Sequence, residues 1–304
     1  MWHIDVAGQA VSLPALTAVG LAIGFVAGMF GVGGGFILTP LLSLSFKIPM
    51  PIAVGSALCQ KIGTSIGSFL KHRQYQHGEL RVDFVMLGAS LFGVDAGTRL
   101  LTILANAGTF LSARGKPVSI VTLTLEAIYA AILLFAASMT LNAVRKSARA
   151  PASEGHASSV APLVRWGFPP YIALPEVEIP KVSVIVMAYI GFATGLLSGL
   201  LGIGGGVALL PVLIYGYGFS IKDAAGTGIL LLFATVIVGT VEHALRHNVD
   251  LRVALAILAG SSVGSQLGAR TTARVSNQVL RVSFAVLLLG TVGAIGIDMV
   301  RSLS

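Results

Sequence analysis

Few residues in this chain could do chemistry, and the clearest of them is a lysine in an apolar setting. Lys61 lies near the middle of an apolar, small-residue stretch from Ala53 to Leu70. If that stretch spans a membrane, the charge costs at least about 2.5 kcal/mol and marks a functional site by default. A fixed positive charge suits a bound anion. The structural alternatives are snorkelling to the interface or an ion pair with a buried acid.

Polar side chains that could assist this lysine are close to it in sequence. Gln60 precedes it, and Ser56 lies about one helical turn earlier. Both could donate hydrogen bonds to an anion held by Lys61. We expect all three residues to bind substrate.

Two acids inside later apolar stretches are candidates for proton coupling. Asp95 lies four residues before Arg99, so a local ion pair and a proton-carrying role are both open. Glu126 could pair with Lys61 or carry a proton. Glu242, His243 and His72 lie near the ends of apolar stretches, where we expect them at the interface. Asp250 and Glu79 each precede a helix start and are expected to act as caps or on the helix dipole.

Two glycine clusters interrupt the longest apolar regions: GVGGG at Gly31–Gly35 and GIGGG at Gly202–Gly206. Each glycine costs a helix about 1 kcal/mol relative to alanine, so we predict a helix break at each cluster. The helix that follows a break begins with free N–H groups, which bind anions. Close helix packing is the alternative, and it explains Gly20, Gly24 and Gly28 better. The glycines expected to bind substrate are Gly33, Gly34, Gly35, Gly204, Gly205 and Gly206.

The composition indicates a membrane protein. Of 304 residues, 55% are hydrophobic and 11% are charged, and the mean hydropathy is +0.89. Soluble domains carry about 25% charged residues, so an ordinary soluble enzyme and a disordered chain are excluded. The net charge of +8 does not indicate nucleic acid, because the basic residues sit singly at the ends of apolar stretches. The sequence shows no metal-ligand cluster, no redox motif and no nucleophile beside a base. We therefore expect neither an enzyme nor a cofactor.

The apolar regions are long enough for about eight transmembrane segments. They are residues 13–46, 50–70, 82–104, 118–143, 182–217, 221–243, 252–270 and 279–299. A polar, proline-rich connection divides them, which is typical of an extramembrane linker. The predicted organisation is a first transmembrane repeat at 1–144, the linker at 145–181 and a second repeat at 182–304.

The two halves are related by an internal repeat. Gly35 and Gly206 are 171 residues apart, and that offset holds without a gap from Gly24–Arg99 to Gly195–Arg270. It also pairs Ser56 with Thr227, which makes Thr227 a further candidate for substrate binding. A duplicated membrane unit with a broken helix in each copy is the pattern of secondary transporters. If each broken region enters and leaves on one side, the second repeat is inverted. The distribution of positive charges favours this arrangement, with the linker in the cytoplasm.

Several segments together resemble the sulfite exporter TauE/SafE family. They are GFVAGMFGVGGGFILTPLL, AVGSALCQ, GLLSGLLGIGGGVALLPVLI and HNVDLRVALAILAGSSVGSQLGAR. The resemblance implies a multi-pass permease of the bacterial inner membrane for small sulfur anions such as sulfite, sulfoacetate or other organosulfonates. It implies a lining formed by the cluster glycines with Ser56, Gln60 and Thr227. Lys61 departs from the apolar or small polar residue that is usual at its position in the family.

The expectation is therefore an all-α, polytopic transporter that exports a sulfur-containing anion by alternating access. The anion would bind near the midplane between the two glycine breaks, and membrane lipid would surround the protein. A passive anion channel and a non-transporting scaffold or sensor are the alternatives. The sequence leaves open the particular anion, the transport direction, the coupling ion and the oligomeric state, a homo-oligomer included.

Overall fold

The computed structural model describes residues 2–30, 35–75, 80–111, 117–149, 168–174, 179–219, 224, 227–272, 275 and 277–303. Ten α-helices lie in these ranges. They are α1 (Leu13–Phe30), α2 (Gly35–Phe46), α3 (Met50–Tyr75), α4 (Leu80–Asn106), α5 (Ile120–Arg149), α6 (Val184–Leu201), α7 (Gly206–Pro211), α8 (Ile229–Leu245), α9 (Leu251–Thr272) and α10 (Asn277–Leu303). A π-helical turn, Val212–Gly216, continues α7.

The helices confirm an all-α, multi-pass membrane protein. Among the described residues, α4, α5, α6, α9 and α10 each contain a stretch long and apolar enough to cross a membrane. Shorter apolar segments lie in α1, α2 and α8. The structure also contains three antiparallel two-stranded hairpins that the sequence did not predict. Their strands are β1 (His3–Val6) with β2 (Gln9–Ser12), β3 (Thr109–Leu111) with β4 (Pro117–Ser119), and β5 (Tyr171–Leu174) with β6 (Ile179–Ser183).

Glycines bring α1 and α9 into backbone contact. A Cβ at Gly20, Gly24 or Gly28 would lie 2.1–2.4 Å from a carbonyl oxygen of α9. Real Cβ atoms do not approach so closely, so any larger residue would force the helices apart. This confirms that the three glycines serve helix packing. The residue numbers of the contacts rise together along both helices, so α1 and α9 run parallel.

A second parallel pair, α6 with α4, is built in the same way. A Cβ at Gly191, Gly195 or Gly199 of α6 would lie 2.0–2.5 Å from a carbonyl oxygen of α4. Each of these contacts lies 171 residues from a contact of the first pair: Gly24 faces Ser261, and Gly195 faces Ser90. In each half, the helix before the glycine cluster therefore packs against a helix of the other half.

Two apolar clusters mark opposite ends of the helical body. At the first end, the β1–β2 hairpin, the start of α1, the end of α2 and the starts of α3 and α9 share one core. At the second end, the β5–β6 hairpin, the starts of α4, α6 and α8 and the π-helical turn share another. Helix α3, about 39 Å long, runs from the first end toward the second. Helices α1 and α2 thus enter and leave at the first end, and α6 and α7 do so at the second.

Two arginines at helix starts hold these hairpins. Arg252 at the start of α9 donates to the Asp5 carbonyl oxygen of β1 over 2.9 Å. Its counterpart by the 171-residue offset, Arg81 of α4, donates to the Ala173 carbonyl oxygen of β5 over 3.4 Å.

Asp250 caps α9, as the sequence predicted. Its carboxylate accepts the backbone N–H groups of Arg252 at 2.9 Å and Val253 at 3.3 Å, and it also pairs with the Arg252 guanidinium. Partial burial alone would raise the pKa of Asp250, but these hydrogen bonds outweigh it and hold the pKa below its usual value. Glu79, its predicted counterpart, lies outside the described residues.

Candidate functional site

The second glycine cluster breaks the helix, as predicted. Helix α6 ends at Leu201 and α7 begins at Gly206. Gly202, Gly204 and Gly205 have φ angles of +72°, +74° and +72°, a backbone conformation that L side chains rarely adopt. In the first half, α1 ends at Phe30 and α2 begins at Gly35. Gly33 and Gly34 lie outside the described residues.

Three side chains from three different helices cap the broken end of α6. His243 Nε2 of α8 donates to the Gly199 carbonyl oxygen over 2.8 Å. Tyr129 of α5 donates its hydroxyl proton to the Leu201 carbonyl, and Lys61 Nζ of α3 donates to the Gly202 carbonyl. Carbonyls at a helix end lack intrahelical partners and carry the negative end of the dipole. These donors therefore satisfy backbone groups that have no water to bind inside a membrane.

Lys61 is buried directly against the break of the opposite half. The side chain is 3% exposed, and its Nζ lies 3.3 Å from where a Gly204 Cβ would be. Leu232, the repeat counterpart of Lys61, lies 3.1 Å from the same point. Among the described residues, the Lys61 ammonium therefore binds a carbonyl at a helix end. This contact is neither snorkelling to the interface nor an ion pair with an acid, the two structural alternatives considered from the sequence.

The other predicted polar residues have partners outside the break. Gln60 Nε2 donates to Ser261 Oγ of α9 over 2.8 Å, and Ser56 Oγ accepts the Asp250 N–H at 3.0 Å. Thr227 is buried just before α8. Among the described residues, the structure brings Lys61 and Gly204 together, whereas Gln60 and Ser56 are held by α9 and the turn before it.

A very small cavity adjoins the break. Its volume is about 10 Å³, which holds at most about one water molecule. Residues of α6, the break, α7 and α8 line it: Thr194, Gly204, Gly205, Leu209, Gly228, Leu231, Leu232 and Thr235. An oxyanion with several heavy atoms does not fit there, so the described part of the break is in a closed state.

The two candidate proton carriers have opposite environments. Asp95 is partly exposed and accepts a 2.9 Å hydrogen bond from Arg99, the local pair considered from the sequence. Glu126 is 1% exposed, and neither carboxylate oxygen has a hydrogen-bond partner among the described residues. The predicted alternative of a Glu126–Lys61 pair is therefore wrong, because Lys61 is bonded to Gly202 instead.

Sequence reasoning missed three buried polar residues. His243 is 0% exposed, so its predicted place at the interface is wrong. Its recurrence as His72 in the first half was the available signal. Asp83, an acid in an apolar stretch, accepts the Gly228 N–H at 2.7 Å and fixes the start of α8. Nothing in the sequence singled out Tyr129, because its partner is the Leu201 carbonyl at the end of α6, which lacks a helical partner only because that helix is broken.

Taken together, the apolar helices and the glycine break buried among them define a multi-pass membrane protein. Comparison with known proteins also indicates a membrane protein. The model of the family "Sulfite exporter TauE/SafE" matches residues 16–295, and the chain belongs to this family.

The relatives are named as transporters. A probable membrane transporter protein of Bacillus subtilis, YunE, is 23% identical over 286 residues, which cover 92% of this chain and 95% of that protein. A probable membrane transporter protein of Haemophilus influenzae is 25% identical, covering 89% of this chain and 93% of that protein. A third, from Methanocaldococcus jannaschii, is 24% identical, with coverage of 94% and 95%. No solved structure matches the chain.

Proposed function

We propose that this protein is a secondary transporter that exports a small sulfur-containing anion by alternating access. The proposed substrate class is sulfite, sulfoacetate and related organosulfonates; the family name supports sulfite. The bacterial inner membrane is its proposed location, with the linker between the halves in the cytoplasm.

The observation that carries the proposal is the position of Lys61. One half supplies a buried cation, and the other half supplies a backbone break directly against it. In the closed state the Lys61 ammonium donates a hydrogen bond to the Gly202 carbonyl. An oxyanion entering the break would replace that carbonyl as the partner of Lys61, because both partners of the new hydrogen bond are charged and the attraction is stronger.

The full site forms as the break opens. The glycine clusters of both halves would then approach the anion through their backbone N–H groups near the midplane. Gln60 precedes Lys61 on α3 and Ser56 lies about one helical turn earlier, whereas Thr227 precedes Gly228, which lines the cavity beside the break. These three side chains would complete the lining after rearrangement. The cavity of about 10 Å³ must therefore enlarge during the cycle.

The matching glycine contacts support an inverted duplication. Helix α1 packs on α9 and α6 packs on α4 through equivalent residues, and the two broken helices enter from opposite ends. Such symmetry gives two conformations of similar energy, in which one end or the other is open. Movement of one repeat against the other would carry the anion across.

Export does not strictly need a coupling ion. In a cell with a negative interior, the membrane potential favours the exit of each negative charge by about 2.3 kcal/mol per 100 mV. A proton gradient would add to this force. A passive channel is the competing function, and the water-sized cavity weighs against a pore that is open in this state.

The test is counterflow of labelled sulfite in proteoliposomes, with competition by sulfoacetate, taurine, thiosulfate, sulfate and chloride. A carrier gives saturable exchange that sulfonates suppress. Flux that neither saturates nor exchanges would indicate a channel. Folded protein that exchanges no sulfur anion would remove the proposed substrate class and favour a scaffold or sensor.

A further inference from the structure

A polar groove opens at the first end of the protein, away from the glycine break. It has a volume of about 410 Å³ and lies between the end of α2, the start of α5 and the end of α10. Its lining is rich in charged and hydroxyl groups: Lys47, Val118, Ser119, Thr122, Leu123, Asp298, Arg301 and Ser302.

Glu126 follows these lining residues on the same face of α5. Thr122 and Leu123 lie four and three residues before it, which places the three side chains on one helical stripe. Glu126 is buried to 1% exposure, and both carboxylate oxygens lack hydrogen-bond partners among the described residues. A buried carboxyl without partners is destabilising and needs an explanation.

The charged groups that face Glu126 belong to the groove. Among the described residues, Asp298 of α10 and Lys47 after α2 interact with it electrostatically. These two form an ion pair of 3.6 Å with each other, and Arg301 lies one turn further along α10. Glu126 is therefore next to a wet, charged surface and is itself shielded from water.

Beyond Glu126, α5 continues to a residue that contacts the break. Tyr129 lies one helical turn further along α5 and donates to the Leu201 carbonyl at the end of α6. A change in the protonation of Glu126 therefore acts on α5, the helix whose Tyr129 caps the broken end of α6. The groove, the acid and the break lie in that order along α5.

We propose that Glu126 is the proton-binding group of an anion–proton antiport, loaded from this groove. A hydronium ion from the groove gives one proton to a Glu126 carboxylate oxygen and becomes water, and Glu126 becomes a neutral carboxylic acid. After the conformational change the acid returns that proton to a water molecule at the other side, which becomes hydronium. Protonation removes the buried charge and supplies an O–H donor, so the two forms favour different packing of α5. This inference rests on the proposed function of anion transport.

The experiment separates exchange from proton coupling in the same proteoliposomes. Counterflow of labelled sulfite at equal pH measures the carrier alone. Sulfite efflux against proton uptake, followed with a trapped pH dye, measures coupling. We expect Glu126→Gln to keep counterflow within about twofold of the wild type and to lose at least about tenfold of the proton uptake. Asp5→Asn, which removes an exposed acid of the β1–β2 hairpin, is the control and should keep both.

Three outcomes would overturn the inference. They are wild-type exchange without proton uptake, proton uptake that survives Glu126→Gln, and a folded Glu126→Gln protein that loses counterflow as well. The last result would make Glu126 a structural or anion-binding group. Failure of the proposed function is distinguishable, because the wild-type protein would then show no exchange of any sulfur anion.

Discussion

A lysine can remain inside a membrane helix bundle only if other groups compensate its charge. Here the compensation comes from the backbone: the end of α6 presents carbonyls, and Lys61 binds one of them at Gly202. The same contact explains why the broken end of α6 is stable away from water. We therefore assign Lys61 two roles: it caps a helix in the closed state, and it is the counter-charge of the anion in the loaded state.

Gly204 lies directly against Lys61, so a side chain added there acts on the lysine. A methyl group at Gly204 would lie 3.3 Å from Lys61 Nζ and 3.1 Å from Leu232 Cδ1, on a backbone with φ of +74°. We expect Gly204→Ala to displace the lysine and to lower sulfite counterflow by at least about tenfold. Gly8→Ala is the matched control, because Gly8 has φ of +81° and open space around it. Equal counterflow in both variants would show that the break does not position Lys61.

Asp250 should contribute a pH-dependent part of the stability. Because its pKa is held below the usual value for aspartate, its contribution is complete above that value and is lost as the pH falls through the lowered pKa. We expect Asp250→Ala to lower the free energy of unfolding by about 1 kcal/mol at pH 7, as other N-caps do. Thermal unfolding in detergent measures this difference. A difference that persists unchanged at strongly acid pH would contradict the electrostatic explanation.

Single residues were predictable where their role depends on their own helix. The cap at Asp250 and the packing of Gly24 follow from local sequence. Lys61 stood out because its charge is costly in an apolar stretch, but its carbonyl partner did not, since that carbonyl belongs to a helix 141 residues away in sequence. His243 and Tyr129 were not recognised for the same reason.

At the scale of elements, the parallel glycine contacts should control stability. A Cβ at Gly195 would lie 2.0 Å from the Ser90 carbonyl oxygen, and one at Gly24 would lie 2.4 Å from that of Ser261. We expect Gly195→Ala and Gly24→Ala each to destabilise the protein by about 1–3 kcal/mol, as overpacking does.

Gly290→Ala in α10 provides the control for these variants. This glycine is also helical, but no atom lies within 4 Å of its Cβ position. Its replacement should be neutral or stabilising by up to about 1 kcal/mol. Thermal unfolding of the three variants in detergent gives the ranking, and a Gly290→Ala protein as unstable as Gly195→Ala would contradict the packing account.

The helix break at Gly202–Gly205 was predictable because a cluster of glycines lowers helix stability, whereas the hairpins were not. The β1–β2 and β5–β6 hairpins are short and lie beside long apolar segments that dominate the pattern. They depend on tertiary contacts, such as those from Arg252 and Arg81. The 171-residue offset pairs Arg81 with Arg252 without showing what either arginine binds.

At the scale of the whole molecule, the two halves should be inverted in the membrane. The turn of the β1–β2 hairpin, with Gly8, lies at the first end, and the β5–β6 hairpin, with the exposed Ala173, lies at the second. In a Cys59→Ser background, we expect Gly8→Cys to react with an impermeant thiol reagent on intact spheroplasts. Ala173→Cys should react only after the membrane is permeabilised. Labelling of both from the same side would contradict the inverted arrangement.

Sulfite counterflow in three variants shows whether Lys61 is the counter-charge of a transported sulfur anion. Lys61→Arg keeps the charge and a donor, Lys61→Gln keeps a donor without the charge, and Lys61→Met removes both. We expect measurable exchange in Lys61→Arg and at least about a tenfold loss in both Lys61→Gln and Lys61→Met, with all three proteins folded. Exchange in Lys61→Gln equal to that of the wild type would contradict this role, because Lys61 would then act only as a cap of the broken helix.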